Sequence, residues 1–239
     1  MKICLVTTNE ETIFIPKGVN YLTEHLGPNI DIYCVPGFTS LKRFLYFSFL
    51  LYFDEVFKIL KEKTKNFFNS NIIEHPFILI NSVNSNLFIN NLKKKKYDLI
   101  VSYSCPQIFK EKTLKEINNL GIEIVNFHPG ILPKYRGLFT NFYSIKNNEK
   151  NIGITFHKIN SKIDAGDIIS MLEIPIHKHD TVFTLYEKLY LSEESLNFIK
   201  NCLVTYKDIK NNKLTLNNML KYNSYPKFFD IIKYRLKKF

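Results

Sequence analysis

The sequence predicts an α/β protein: an open, mainly parallel sheet with helices on both faces and a short carboxyl-terminal hairpin and helix appended. Short runs rich in Ile, Leu, Val and Tyr alternate with helical patterns through the first two thirds of the chain. Parallel strands need crossover connections, so this alternation points to a parallel rather than a meandering sheet. The 239 residues suffice for one large domain with a substantial core. No internal repeat or low-complexity linker interrupts the pattern.

In chain order, strands are expected at 2–7, 30–35, 77–82, 98–103 and 122–127, with helices at 18–26, 40–65, 86–95 and 109–119 between them. The apolar run Phe44 to Phe53 falls in the second helix and reads as buried. Lys93 to Lys96 reads as a solvated helix end, where positive charge suits the dipole. Two more strands, 152–159 and 168–174, flank a loop containing Asp164. One long helix follows over 181–206, capped by Asp180 or Thr181. Residues 1–207 thus form the main domain and 208–239 an appendage. In the latter, Lys210 to Lys213 is a turn, Leu214 to Leu216 and Tyr222 to Tyr225 pair as a hairpin, and Phe228, Ile231, Ile232, Leu236 and Phe239 form a helical stripe.

Composition narrows the function. With 45% hydrophobic and 23% charged residues, the chain has the balance of a soluble globular protein. No secretory signal is recognisable, and the longest apolar run is too short to span a bilayer. Cys4, Cys34, Cys105 and Cys202 lie far apart, which suits a reducing cytoplasm and gives no metal-ligand spacing. The net charge is +11, but only three of the 33 basic residues are arginines: Arg43, Arg136 and Arg235. Nucleic-acid readers lean on forked arginine contacts, so a nucleic-acid partner is not expected. A small phosphate-bearing substrate would still profit from the positive field.

The chemistry concentrates in Asn126-Phe127-His128-Pro129-Gly130-Ile131-Leu132-Pro133-Lys134-Tyr135-Arg136-Gly137 and, downstream, Asp164-Ala165-Gly166-Asp167. Pro129 and Gly130 end the fifth strand. Side chains two apart in extended chain point the same way, so Asn126 and His128 project together from its carboxyl end, where open α/β sheets bind ligands. Asn126 can donate to a developing oxyanion or merely cap a turn. His128 can pass protons near neutral pH or be a loop residue. Asp164 and Asp167 compete as the carboxylate. His157 packs or orients the loop. Cys105 has nothing nearby to activate it as a nucleophile.

This series resembles the folate-dependent formyltransferases, which carry an Asn-x-His-Pro-x-x-Leu-Pro-x-x-x-Gly segment and a later Asp-x-Gly. The likeness continues through Asn141 to Ile145, Gly153 to His157 and Ile174 to Ile176, and covers residues 98–190. It implies the Rossmann-like formyltransferase fold and 10-formyltetrahydrofolate as co-substrate, with no metal. It also implies Asn126, His128 and Asp164 as the catalytic set, with Asp164 paired to His128. The loop after the preceding strand, Ser102, Tyr103, Ser104, Cys105, Pro106 and Ile108, is the folate-binding position.

Within that group, a glycinamide ribonucleotide enzyme is disfavoured because Thr7-Thr8-Asn9-Glu10-Glu11 lacks the glycines of a phosphate loop. The wording Leu-Pro-x-Tyr-Arg-Gly-Leu-Phe-x-Asn-Phe is most similar to nucleotide-linked sugar N-formyltransferases. By that analogy the substrate is dTDP-4-amino-4,6-dideoxyglucose, used for surface polysaccharide such as the O-antigen of lipopolysaccharide. Lys134 and Arg136 would meet the diphosphate, and Tyr222 and Tyr225 a base. The tyrosines also suit hairpin packing or a homodimer interface. Two alternatives stay open: a methionyl-tRNA formyltransferase lacking the usual carboxyl-terminal domain, and a non-catalytic folate- or sugar-binding protein.

Overall fold

A computed structural model describes residues 1–8, 14–37, 49–68, 73–214 and 222–236. The strands are β1 (Ile3–Thr8), β2 (Ile30–Val35), β3 (Phe77–Leu79), β4 (Leu99–Tyr103), β5 (Glu123–His128), β6 (Asn151–Lys158) and β7 (Ile168–Pro175). The helices are α1 (Phe14–Leu26), α2 (Phe53–Phe68), α3 (Asn86–Lys95), α4 (Glu111–Asn119), α5 (Thr140–Lys146), α6 (Val182–Leu191), α7 (Glu193–Val204), α8 (Tyr206–Ile209) and α9 (Phe228–Leu236).

Among the described residues, seven strands form one sheet in the order β3-β2-β1-β4-β5-β6-β7. The first five in that order run parallel, and β6 and β7 are antiparallel additions at one edge. Strand alternation explains the two core layers. Ile3 and Leu5 of β1 pack with Val19 and Leu22 of α1, Leu185 of α6 and Ile199 of α7. Cys4 and Val6 turn the other way, toward Phe88 and Leu92 of α3 and Ile117 of α4. Each central strand is therefore apolar on both faces, which its near-continuous Ile/Val/Leu run already implied. The chain order reverses between β1 and β4, so the crevice outside the carboxyl ends of β1, β4 and β5 is the topological switch point.

Several expectations change in detail. The single helix expected over 181–206 breaks at Ser192, which is extended (φ −66°, ψ 145°). Its hydroxyl accepts from the Ser195 amide and donates to the Lys188 carbonyl, ending α6 and capping α7 with one side chain. Thr181, not Asp180, caps α6 in a reciprocal box with Thr184. The helix α5 has no counterpart in the expected elements. The 44–53 run lies mostly outside the described residues; of its described part, Leu50 and Leu51 are buried, whereas Phe49 and Phe53 are exposed.

Part of the expected terminal hairpin lies outside the described residues. Among the described residues Leu214 bridges Ile168, while Asn223 bridges Gly137. Leu214 and Asn223 thus bridge to the main sheet's edge and to a site loop, respectively. Helix α9 then buries Ile231 and Tyr234 against Phe139, Phe142 and Val182.

Candidate active site

Asn126 and His128 stand at the carboxyl end of β5, opposite His157 and Thr155 of β6. The β6–β7 register slips at Phe156/His157, a local irregularity of the kind that re-aims side chains beside functional sites. After β5 the chain turns back over His128 so closely that a Cβ at Gly130 would lie 2.8 Å from the His128 Nε2 and from the Tyr135 carbonyl. Thr155 fixes this turn: its hydroxyl donates to the Gly130 carbonyl (2.6 Å) and accepts from the Leu132 amide (3.1 Å).

The His128 Nε2 lies 2.6 Å from the Tyr135 carbonyl. A carbonyl only accepts, so Nε2 carries the hydrogen and Nδ1 is left as the nitrogen that can gain or lose a proton. Nδ1 lies 3.6 Å from Asp164 Oδ2, with both side chains largely buried. On His157, Nδ1 donates to the Lys158 carbonyl (2.8 Å), which leaves Nε2 to accept from the Asn126 amide at 3.2 Å. That bond sets which end of the Asn126 side chain is the amide nitrogen. It leaves one N–H and the carbonyl oxygen of the side chain available. Burial pushes the His157 imidazole down to about 4, the nearby His128 adding to the effect and Asp164 opposing it. A neutral His157 is the form that can accept from Asn126.

Asp164 sits on the β6–β7 loop with φ +48°, an uncommon backbone region for a residue with a side chain. Three contacts hold it there. The Gly137 amide donates to its Oδ2 (2.8 Å). The Arg136 guanidinium grips the neighbouring Ile163 carbonyl, its Nε at 3.1 Å. Gly166 passes so near Lys158 that a Cβ would lie 1.8 Å from the Lys158 carbonyl oxygen. Asp167, by contrast, is half-exposed and pairs with Lys213 at 3.0 Å.

Residues 102–108 follow β4, whose Ser102 lies beside Asn126 in the sheet. Ser102 and Tyr103 are buried, and Ser104 (φ +56°) donates to the Tyr190 hydroxyl at 2.9 Å. Burial pushes the Cys105 thiol up to about 11, the reverse of an activated nucleophile. Pro106 is half-buried and Ile108 is exposed, giving the loop an open apolar wall.

The four residues expected to meet a nucleotide are more dispersed. Lys134 pairs with Glu149 at 2.7 Å, and Arg136 is engaged with Ile163. Tyr222 covers Gly137, where a Cβ would come within 2.7 Å of its ring. Burial raises the Tyr222 hydroxyl's pKa, with the charge of Asp164 adding to it. Tyr225 packs on Phe139, ring centroids 5.2 Å apart. Among the described residues no group of three or more His, Cys, Asp or Glu gathers as a metal would require. No described helix is long and apolar enough to cross a membrane.

Residues 56–199 match the Formyl transferase family model. The chain belongs to the formyltransferase family. Among relatives, the bifunctional polymyxin resistance protein ArnA of Wigglesworthia glossinidia brevipalpis is 39% identical over 51% of this chain and 18% of its own length. A methionyl-tRNA formyltransferase of Enterococcus faecalis is 43% identical over 41% of this chain and 31% of its own. A dTDP-4-amino-4,6-dideoxyglucose formyltransferase of Mycobacterium bovis is 34% identical over 43% of this chain and 41% of its own. The matched region thus spans less than half the length of each of these relatives.

Two solved structures share the fold across nearly the whole chain. A sugar N-formyltransferase from Shewanella sp. superposes with a TM-score of 0.62 at 21% identity, covering 93% of this chain and 76% of that chain. An N-formyltransferase from Helicobacter canadensis, in complex with folinic acid and dTDP-3-aminofucose, gives 0.58 at 18%, covering 97% and 78%.

Proposed function

We propose that this formyltransferase moves the formyl group of 10-formyltetrahydrofolate to the amino group of a nucleotide-linked amino sugar, with dTDP-4-amino-4,6-dideoxyglucose the leading candidate. The observation that carries the chemistry is the convergence of Asn126, His128 and Asp164 at one strand end. The free N–H of Asn126 is positioned to stabilise charge developing on the formyl oxygen. As the amine nitrogen bonds to the formyl carbon and the carbon–N10 bond breaks, the amine loses a proton. Asp164 is placed to take it, and His128 Nδ1 to share it, the imidazolium then being held by the carboxylate. The proton returns to the folate nitrogen that leaves.

The loop 102–108 beside Asn126 is our proposed folate wall. Lys134, Arg136, Tyr222 and Tyr225 are the proposed nucleotide side, with the Tyr222 ring against Gly137, whose amide holds the carboxylate. The sugar reading draws support from the Mycobacterium bovis relative and from the Shewanella and Helicobacter folds. A role in O-antigen synthesis, a cytoplasmic location and a homodimer belong to the same proposal.

The 43% identity to a methionyl-tRNA formyltransferase over 99 residues favours one second reading, formylation of charged initiator tRNA. Incubation with 10-formyltetrahydrofolate and each amine in turn separates the two. The sugar reading expects the dTDP sugar to gain one formyl group by mass spectrometry, and the tRNA to remain unmodified. Formyl-methionine on the tRNA, with the sugar unchanged, would establish the second reading and displace the first.

A further inference from the structure

We infer that Phe14, Tyr186 and Tyr190 form an aromatic floor at the switch point that holds the flat apolar face of the amine substrate. This deepens the sugar-nucleotide reading and rests on it. The three ring centroids are 6.2, 6.3 and 6.5 Å apart in pairs, and no two planes differ by more than 29°. Near-equal mutual distances exclude a column, in which the outer rings would stand twice as far apart as neighbours. The rings instead form a cluster of three near-parallel, mutually offset faces.

The floor is backed and tethered. Phe183 and Tyr103, both buried, brace it at 5.3 Å from Phe14 and 5.9 Å from Tyr190, inclined at 59° and 67°. Phe14, Tyr186 and Tyr190 themselves are only half-buried. Two contacts tie the floor to the candidate site. The Tyr190 hydroxyl accepts from Ser104, at the end of the strand beside Asn126. Tyr186 packs against the cluster containing Phe139, two residues beyond the Gly137 amide that holds Asp164. The floor thus runs from the end of β4 toward the segment carrying the carboxylate's donor.

Its polar handles fit a substrate better than a core. The Tyr190 hydroxyl, having accepted from Ser104, keeps its own hydrogen to donate. The Tyr186 hydroxyl has no hydrogen-bond partner among the described residues. A rigid aromatic surface with outlying donors matches a ring that is apolar on its face and polar at its rim. A nucleobase and a 6-deoxyhexose both answer that description.

The test measures dissociation constants by calorimetry for dTDP alone, for a methyl 6-deoxyglucoside alone and for folinic acid, in wild type and in Phe14→Leu, Tyr186→Leu and Tyr186→Phe. Leucine keeps the site apolar, and folinic acid binding reports that the fold is intact. Stacking of this kind is typically a 5- to 150-fold effect, so the leucine variants should weaken dTDP or the glycoside by about that factor while folinic acid binds as before. Tyr186→Phe should retain most of the affinity. Loss on dTDP assigns the floor to the base, and loss on the glycoside assigns it to the hexose. If the leucine variants lose folinic acid instead, or bind both probes like wild type, the floor is overturned while the sugar-nucleotide reading stands. If wild type binds folinic acid but neither other probe, the sugar-nucleotide reading fails and the floor with it.

Discussion

The two ends of the sheet both collect charged and polar side chains, but they hold them in different ways. At the carboxyl end, His128 and His157 are buried, Asp164 is largely so, and all three are anchored by backbone groups: the Tyr135 and Lys158 carbonyls and the Gly137 amide. At the amino end, a cavity of about 610 Å³ is bordered by Lys93, Lys96, Lys207 and Lys210. There the charges pair with one another near solvent, as Lys210 does with Glu123 at 3.0 Å and Lys95 with Asp31 at 3.1 Å. Exposed pairs of that kind contribute about 0–1 kcal/mol and are screened by salt. Backbone anchors cannot rotate away, so they fix a tautomer and an amide orientation. Clustering of charge is common to both ends; among the described residues, the carboxyl end is marked by buried histidines whose ring nitrogens are held by backbone carbonyls.

The largest expected contrast comes from deleting the anchored groups. His128→Ala and Asp164→Ala should each lose about two to four orders of magnitude in kcat, as is usual for removing an acid–base group. Asn126→Ala should lose about two to three, and all three variants should retain wild-type far-UV circular dichroism. Full turnover by Asp164→Ala would place the chemistry elsewhere.

Next comes the loop that carries Asp164. Gly166→Ala sets a Cβ against the Lys158 backbone oxygen, which has no flexible end to withdraw. The loop must shift, so kcat should fall by at least tenfold and the denaturation midpoint should drop, at a cost of about 1–3 kcal/mol. Unchanged kinetics in a stable Gly166→Ala protein would mean that the loop's position does not matter.

A subtler effect belongs to His157. Its folded pKa of about 4 lies below the ordinary 6.5, so between these values the unfolded chain binds the extra proton. Stability from this group is therefore present above pH 6.5 and is lost as pH falls toward 4. His157→Gln can still accept from Asn126 but does not titrate, so it should flatten the dependence of the urea midpoint on pH across that window. An equally steep profile in the variant would assign the slope to other groups.

The smallest effects are expected at the amino end. Lys210→Ala and Lys95→Ala should change stability by less than about 1 kcal/mol and leave formyl transfer near the wild-type rate. A large kinetic effect there would erase the distinction between the two ends.

What was legible in the sequence follows the same division. Periodicity reveals the parallel strands because β1, β4 and β5 are apolar on both faces, and it places Asn126 and His128 on one side of one strand end. It does not reveal the break at Ser192, because a serine inside an apolar-periodic run is compatible with either a continuous helix or a cap. Nor does it reveal that Leu214 and Asn223 pair with different partners: short segments next to a turn look alike whichever edge they join. His157 was legible only as a residue that packs or orients the loop. Its grip on Asn126 depends on the antiparallel register of β5 and β6 and on a slipped pairing, which are tertiary facts. The role of Tyr135 is carried by its backbone carbonyl, which any residue would supply. Gly130, Gly137 and Gly166 left the one signal available, since each stands where the chain passes too close for a side chain.

The most direct measurement is a double-mutant comparison of kcat/KM for formyl transfer by His128→Ala, Asp164→Ala and the double variant. Groups that share one proton in one site act as a unit, so the double variant should be about as slow as the slower single variant. Losses that multiply would show that His128 and Asp164 act independently and would contradict a shared site at the end of β5.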